Sequence, residues 1–284
     1  MRNILIIIFF LMLFTYIFCR INETFDEKLE LITFPNFINR IDTSLEVYNN
    51  VPLDIYQSWH SHDLPIDMSK NIYNLLKMNP EFNYHLYSDE DCLNFISKYF
   101  DSDVVTAFNT LVPGAYKCDL WRYCVLYING GVYLDIKFYS VVPIITLIKE
   151  HPILFVKDRD FGDDTSTCPE DIHNAFMISP PNNIIFKKCI DDIVNSCKLK
   201  LYHRNPLDVT GPCLLGRIIL QHDPNNFNNY VKNFRLDGDN IVDGDTIIFK
   251  QYATYRNDQN KFQKTKRYPE YWWDKNMYGE TLVI

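Results

Sequence analysis

Four residues in one short stretch carry charge at spacings that suit chemistry. They are Asp119, Arg122, Asp135 and Lys137, within PGAYKCDLWRYCVLYINGGVYLDIK at residues 113–137. Three residues apart on a helix, Asp119 and Arg122 are neighbours on one face. A carboxylate accepts hydrogen bonds from hydroxyls and a guanidinium donates to hydroxyls or phosphate, so the pair offers both halves of sugar recognition. The same spacing also describes an ordinary ion pair that supports a helix. Asp135 and Lys137 are two residues apart, which on an extended chain places both on one face and turns the ammonium toward whatever the carboxylate meets.

The elements that must position these groups are legible around them. Pro113 and Gly114 suit a helix start, and residues 115–127 hold no Gly or Pro and repeat apolar side chains at three- and four-residue spacing. Gly130 and Gly131 end that helix. Val132, Tyr133 and Leu134 then form a short strand, which puts Asp135 at its carboxyl end, where open α/β sheets hold ligands.

Strand and helix alternate elsewhere as well, which predicts an α/β fold with a mostly parallel central sheet. A first strand falls at Ile55 to Trp59, a helix at 67–79, and a strand at about 82–87. Ser88-Asp89-Glu90-Asp91 then makes an acidic helix start, and the helix dipole explains three adjacent acids better than a metal does. Phe138 to Val142 continue the extended run, and Pro143 opens a helix ending near Glu150. Strands at 153–156 and 173–179 bracket a polar loop, 157–171, whose length suits a substrate loop. A helix at 183–197, a turn and helix at 208–219, and short strands separated by Asp237-Gly238 and Asp243-Gly244 complete the order.

The sequence of Asp and Arg on a helix, a Gly-Gly break, then Tyr-Leu-Asp on a strand resembles the DXD-containing glycosyltransferases of family 32. These are outer-chain mannosyltransferase-like enzymes related to the glucosyltransferase domain of large clostridial toxins. The match lies at Asp119, Arg122, Gly130 with Gly131, Tyr133 and Asp135, and it fails where the second acid of the motif is replaced by Lys137. Residues 51–59, VPLDIYQSW, resemble the opening segment of the family, and Thr210-Gly211-Pro212 its TGP turn. The resemblance implies a GT-A-like nucleotide-diphospho-sugar transferase fold, a nucleotide-sugar donor, a glycan or glycoprotein acceptor, and transfer with retention of configuration. It implies Asp135, Asp119 and Arg122 as catalytic residues. Trp59, as a platform for the base, with Tyr133, Lys137, Asn174, Gly211 and Trp273, would bind the donor, Trp273 as part of a C-terminal lid. A divalent cation, manganese or magnesium, would sit on Asp135, and Lys137 stands against it because an ammonium supplies charge to a departing diphosphate without a metal. An inactive donor-binding protein and a membrane-anchored structural protein are the alternative readings.

Composition narrows the partners. The chain has 284 residues, a formal charge of −8 and 15% aromatic residues, which fits one large packed domain and leaves no basic run to drive nucleic-acid binding. Residues 4–19 are an uninterrupted apolar run behind Arg2, about 24 Å long as a helix against about 30 Å for a bilayer core. With no small-residue cleavage site after it, residues 1–19 are expected as a signal anchor of a single-pass type II membrane protein, its body on the translocated side; a cleaved, secreted form is the alternative. A sequon stands at Asn22. Residues 20–50 are expected as a stem and 51–284 as the catalytic domain. Eight cysteines fit no zinc spacing and their pairing is not readable from the sequence.

Overall fold

The computed structural model describes residues 30–44, 46–158, 168, 171–263 and 265–279. The expected anchor, the sequon and most of the loop at 157–171 lie outside the described residues. Among these residues no helix is long and apolar enough to cross a membrane.

Strands β1 (Leu31–Thr33), β2 (Phe37–Ile38), β3 (Val47–Tyr48), β4 (Val51–Pro52), β5 (Asp54–Ser58) and β6 (Asp63–Pro65) precede α1 (Ile66–Met78). Next come β7 (Asn83–Tyr87), α2 (Asp89–Tyr99), α3 (Ser102–Thr110), α4 (Gly114–Asn129), β8 (Gly131–Leu134), β9 (Phe138–Ser140) and α5 (Ile144–Glu150). The second half runs β10 (Leu154–Lys157), β11 (Ile172–Ser179), α6 (Ile184–Leu199), α7 (Pro212–His222), α8 (Phe227–Val231), β12 (Phe234–Asp237), β13 (Asn240–Asp243), β14 (Thr246–Gln251), α9 (Tyr255–Phe262) and α10 (Tyr268–Trp273).

One ten-stranded sheet, in the order β2-β7-β5-β8-β11-β10-β12-β13-β14-β9, spans the molecule. The expected mostly parallel sheet is not what forms. Three of its pairings are parallel, β5 with β7, β5 with β8 and β10 with β12, and six are antiparallel. Parallel order is confined chiefly to β7-β5-β8, where α1 carries the chain back across one sheet face and α2 to α4 across the other. In the second half, β12, β13 and β14 follow one another through tight turns at Gly238 and Gly244, both with φ of 57°. Connections that short permit only antiparallel neighbours.

Strand alternation divides the core between the two sheet faces. Tyr56, Tyr133, Phe155 and Met177 join the helices α2, α3, α4, α6 and α7 in one apolar cluster. Ile55, Val132, Leu134, Phe176 and Ile178 face the other cluster, with α1 and α5. The helix at the centre, α4, is buried from Tyr116 to Leu126 on most sides. Gly130 ends it at φ 68° and Gly131 follows at φ 96°. A Cβ at Gly130 would stand 2.5 Å from the Pro181 nitrogen, and one at Gly131 2.8 Å from the Asp54 carbonyl oxygen. Only glycine therefore lets the chain reverse from α4 into β8 within two residues.

Residues 31–38 are not a stem. β1 pairs with β6 and β2 with β7, and Phe34 is buried. The packed body begins by Leu31 rather than at 51, because short edge strands need little periodicity of their own once a neighbour supplies the hydrogen bonds.

Candidate active site

Asp135 stands just past β8, in a turn held on every side by backbone contacts. Its N–H donates to the Ala175 carbonyl at 2.8 Å, and its own carbonyl accepts from the Phe138 N–H at 3.0 Å. Buried Gln57 donates to the same carbonyl at 3.2 Å, while Asn71 donates to the carbonyls of Ile136 and Phe138. Ile136 and Lys137 form a turn and β9 pairs at the far edge of the sheet, so the expected continuous extended run is broken here. Asp135 and Lys137 meet all the same, through the turn rather than through strand alternation.

The Asp135 carboxylate is shared between three donors. Tyr133 donates its hydroxyl to Oδ1 at 2.8 Å, Lys137 Nζ lies 3.0 Å from Oδ2, and Arg122 Nη1 lies 3.6 Å from Oδ1. Burial would raise this carboxyl, but the charges of Lys137, Arg122 and His173 outweigh it and lower the pKa to about 2. Arg122 is itself buried, its guanidinium 4.4 Å from the Tyr133 ring centroid and its Nη1 donating to the Asn174 carbonyl at 2.7 Å.

Asp119 faces inward. Its Oδ1 accepts from Asn174 Nδ2 at 2.9 Å and lies 3.2 Å from Arg122 Nη2, and its Oδ2 accepts from the Thr210 hydroxyl at 2.7 Å. Burial pushes this carboxyl up, opposed by Arg122, Thr210 and Asn174. Asp119 thus holds Arg122 and Asn174 in place, and Asp119 and Arg122, both buried, line the smaller of the two cavities at this site.

Two cavities meet at this cluster. The larger, about 530 Å³, is lined by Trp59, Arg122, Asp135, Lys137, Tyr255 and Arg256 among others. The smaller, about 220 Å³, adjoins it across Arg122, Asp135 and Lys137 and is lined by Asp119, His173, Asn174 and Gly211. Of the nine residues singled out in the sequence, eight therefore line one or both cavities. Trp59 is 9% exposed, and its indole N–H finds no hydrogen-bond partner among the described residues. Trp273 is 70% exposed and lines neither cavity. It sits edge-on to Trp272, which is buried and donates to the Tyr202 carbonyl at 2.5 Å. The C-terminal aromatic pair thus anchors α10 to the body, and the expected lid over the donor is not formed by Trp273.

The cover comes from α9. Tyr255, Gln259 and Phe262, at i, i+4 and i+7, line the larger cavity with Arg256, and that helical spacing in YATYRNDQNKF was the signal available in the sequence. His173 was also missed, and Thr210 was noted only as part of the TGP turn and not as the partner of Asp119. His173 Nδ1 lies 3.5 Å from Asp158 Oδ2 and its Nε2 is buried without a partner among the described residues. The acids at 89–91 behave as the dipole argument requires. Ser88 caps α2 by accepting from the Asp91 N–H, and Asp91 accepts from the Ser88 N–H at 2.9 Å.

The site does not fit a divalent cation. Even where water and phosphate oxygens complete the shell, such ions are held by one or two free carboxylates, whereas both oxygens of Asp135 already serve Tyr133 and Lys137 and Asp135 joins no group of three candidate ligands among the described residues. The one group of three candidate ligands among the described residues is Cys168, Asp171 and Cys213, and it does not include Asp135. Cys168 and Cys213 are joined there as a disulfide.

Comparison with known proteins points to the same stretch of the sequence. Residues 65–154 match the family model described as "Glycosyltransferase sugar-binding region containing DXD motif", a span that holds Asp119, Arg122, Tyr133, Asp135 and Lys137. The chain resembles the DXD-containing glycosyltransferases of family 32. It is 27% identical over 95 residues to inositol phosphoceramide mannosyltransferase 3 of Schizosaccharomyces pombe, covering 32% of this chain and 26% of that protein. An uncharacterized glycosyltransferase of Acanthamoeba polyphaga mimivirus is 30% identical over 87 residues, 30% of this chain and 35% of that one. A mannosyl phosphorylinositol ceramide synthase of Saccharomyces cerevisiae is 29% identical over 173 residues, 61% of this chain. The alignments span from 26% to 42% of the length of these three relatives. Among solved structures, the PaToxG glycosyltransferase superposes with a TM-score of 0.49 at 17% identity over 63% of this chain and 72% of that chain. Asn174, Gly211 and Trp59 lie outside the matched span; the cavities place Gly211 and Trp59 at the site, and hydrogen bonds to Asp119 and Arg122 place Asn174 there as well.

Proposed function

We propose that this chain is a retaining, GT-A-like glycosyltransferase that moves a hexose from a nucleotide-sugar donor to a glycan, glycoprotein or lipid hydroxyl. The observation that carries the reading is the pair of joined cavities, one with aromatic walls and cationic groups, one small and lined by amides, acids and an imidazole, meeting at Asp135. The nucleotide fits the larger, with its base against Trp59 and Tyr255. The sugar fits the smaller, where the fixed Asn174, His173 and Asp135 groups select its hydroxyls. Mannose is the donor sugar we favour, supported by relatives whose names describe mannosyl transfer.

In this reading the carbon–oxygen bond to the diphosphate breaks with its electron pair going to the phosphate oxygen, through an oxocarbenium-like centre. The acceptor oxygen bonds to the anomeric carbon on the same face, and its proton passes to the departing phosphate oxygen. The chain contributes position and preorganised charge, because Arg122 and Asp135 are held before the donor arrives. A thermal-shift series with GDP-mannose, UDP-glucose and UDP-N-acetylglucosamine tests the binding half. At least one donor at about a hundredfold its dissociation constant is expected to add about 2.7 kcal/mol of stability. No shift with any of the three would remove the basis for the reading.

A further inference from the structure

We propose that Lys137 is the resident cation of this site, so that donor binding and sugar transfer proceed without a metal ion. The proposal rests on the glycosyltransferase reading and deepens it.

The ammonium is placed rather than merely nearby. Lys137 Nζ is 3.0 Å from Asp135 Oδ2 and 4.9 Å from the Phe138 ring centroid, and the side chain is 16% exposed. Its backbone is fixed as well, since the Lys137 carbonyl accepts from the Tyr252 N–H at 3.0 Å and Asn71 holds the carbonyls on either side. A lysine normally loses much rotamer freedom when it binds an anion. Here that freedom is already restricted, and the charge waits at the junction of the two cavities, where a diphosphate linking a nucleoside to a sugar must lie.

The charge balance points the same way. The larger cavity presents Arg122, Lys137 and Arg256 against Asp89 and Asp135, and burial holds the Asp89 carboxyl above its usual value. This wall suits a diphosphate as it stands. A divalent cation on Asp135 would instead meet an ammonium and a guanidinium that already neutralise its sole carboxylate. As the bond to the diphosphate breaks, the Lys137 ammonium meets the charge developing on the phosphate oxygens.

Calorimetric titration of GDP-mannose and UDP-glucose into the full chain, in EDTA and in manganese chloride, tests this, with Lys137→Met, Lys137→Arg and Lys137→Asp alongside. The wild type is expected to bind its donor equally in both buffers, within about twofold. Lys137→Met should weaken donor binding about tenfold and leave binding of the free nucleoside within about twofold, while Lys137→Arg recovers most of the loss. Lys137→Asp should bind only with manganese. The proposal is overturned if the wild type binds about tenfold more tightly with manganese, or if Lys137→Met binds the donor like the wild type. If Lys137→Met does not fold, the wild-type comparison and Lys137→Arg still decide. Donor binding that requires manganese would defeat only the metal-free claim; failure of both donors to bind in either buffer would defeat the glycosyltransferase reading along with it.

Discussion

Asp135 is the residue on which the charges of the site converge, and that makes its ionisation part of the folding energy. Its carboxyl ordinarily titrates near 3.8, and in the fold burial is outweighed by Lys137, Arg122 and His173, bringing it to about 2. A depressed carboxyl contributes stability above its unfolded pKa and loses it as the pH falls through the folded one. The contribution is about 2 kcal/mol at neutral pH, disappearing between about pH 4 and pH 2. Urea midpoints of the wild type and Asp135→Asn, measured from pH 6 to pH 2, should therefore converge as the pH drops; a constant gap would show that the ion cluster does not form. At this scale Tyr133, Arg122 and Asp135 were legible because the sequence brings them close through one helix and one strand. The role of Asp119 was not, because its partners Asn174 and Thr210 are 55 and 91 residues away. Nothing local announces that both of its oxygens point inward.

Among the elements, α4 with its two terminal glycines sets the geometry of the site. It delivers Asp119 and Arg122, and the reversal at Gly130 and Gly131 returns the chain so that β8 brings Tyr133 and Asp135 back beside them. Gly130 adopts φ 68°, ψ −159°, a region essentially closed to side chains, and an added Cβ meets Pro181 backbone at 2.5 Å. Gly130→Ala is expected to cost about 3 kcal/mol in chemical denaturation; a loss below about 1 kcal/mol would mean that the turn adapts and does not constrain the site. The helices were legible element by element, since α1, α4, α5 and α6 carry their own period and their own start signals. Strand direction was not. β8 and β11 look alike as apolar runs, yet β8 runs parallel to β5 and antiparallel to β11, and pairing partners follow from the path of the whole chain. The cover helix α9 was overlooked because its Tyr255, Gln259 and Phe262 are mostly polar in company and its value lies in what it spans.

At the scale of the molecule, a sheet with helices on both faces brings residues from Ser58 to Tyr268 to one pair of cavities. Tethers far along the chain complete the arrangement. The Cys168–Cys213 disulfide ties the segment before β11 to the first turn of α7, next to Gly211 and Thr210. In the segment that looked like a stem, β2 forms one edge of the ten-stranded sheet and β1 pairs with β6 in a separate two-stranded sheet. The whole-molecule claim is that these distant pieces assemble one donor site whose centre is Asp135. It is tested most directly by following labelled sugar from GDP-mannose and UDP-glucose into product, as released nucleoside diphosphate and as transferred sugar on glycan and lipid acceptors, for wild-type chain and for Asp135→Asn at neutral pH. The account predicts turnover with the wild type and a loss of at least about a hundredfold in Asp135→Asn while donor binding remains measurable. Turnover by Asp135→Asn close to that of the wild type would contradict it.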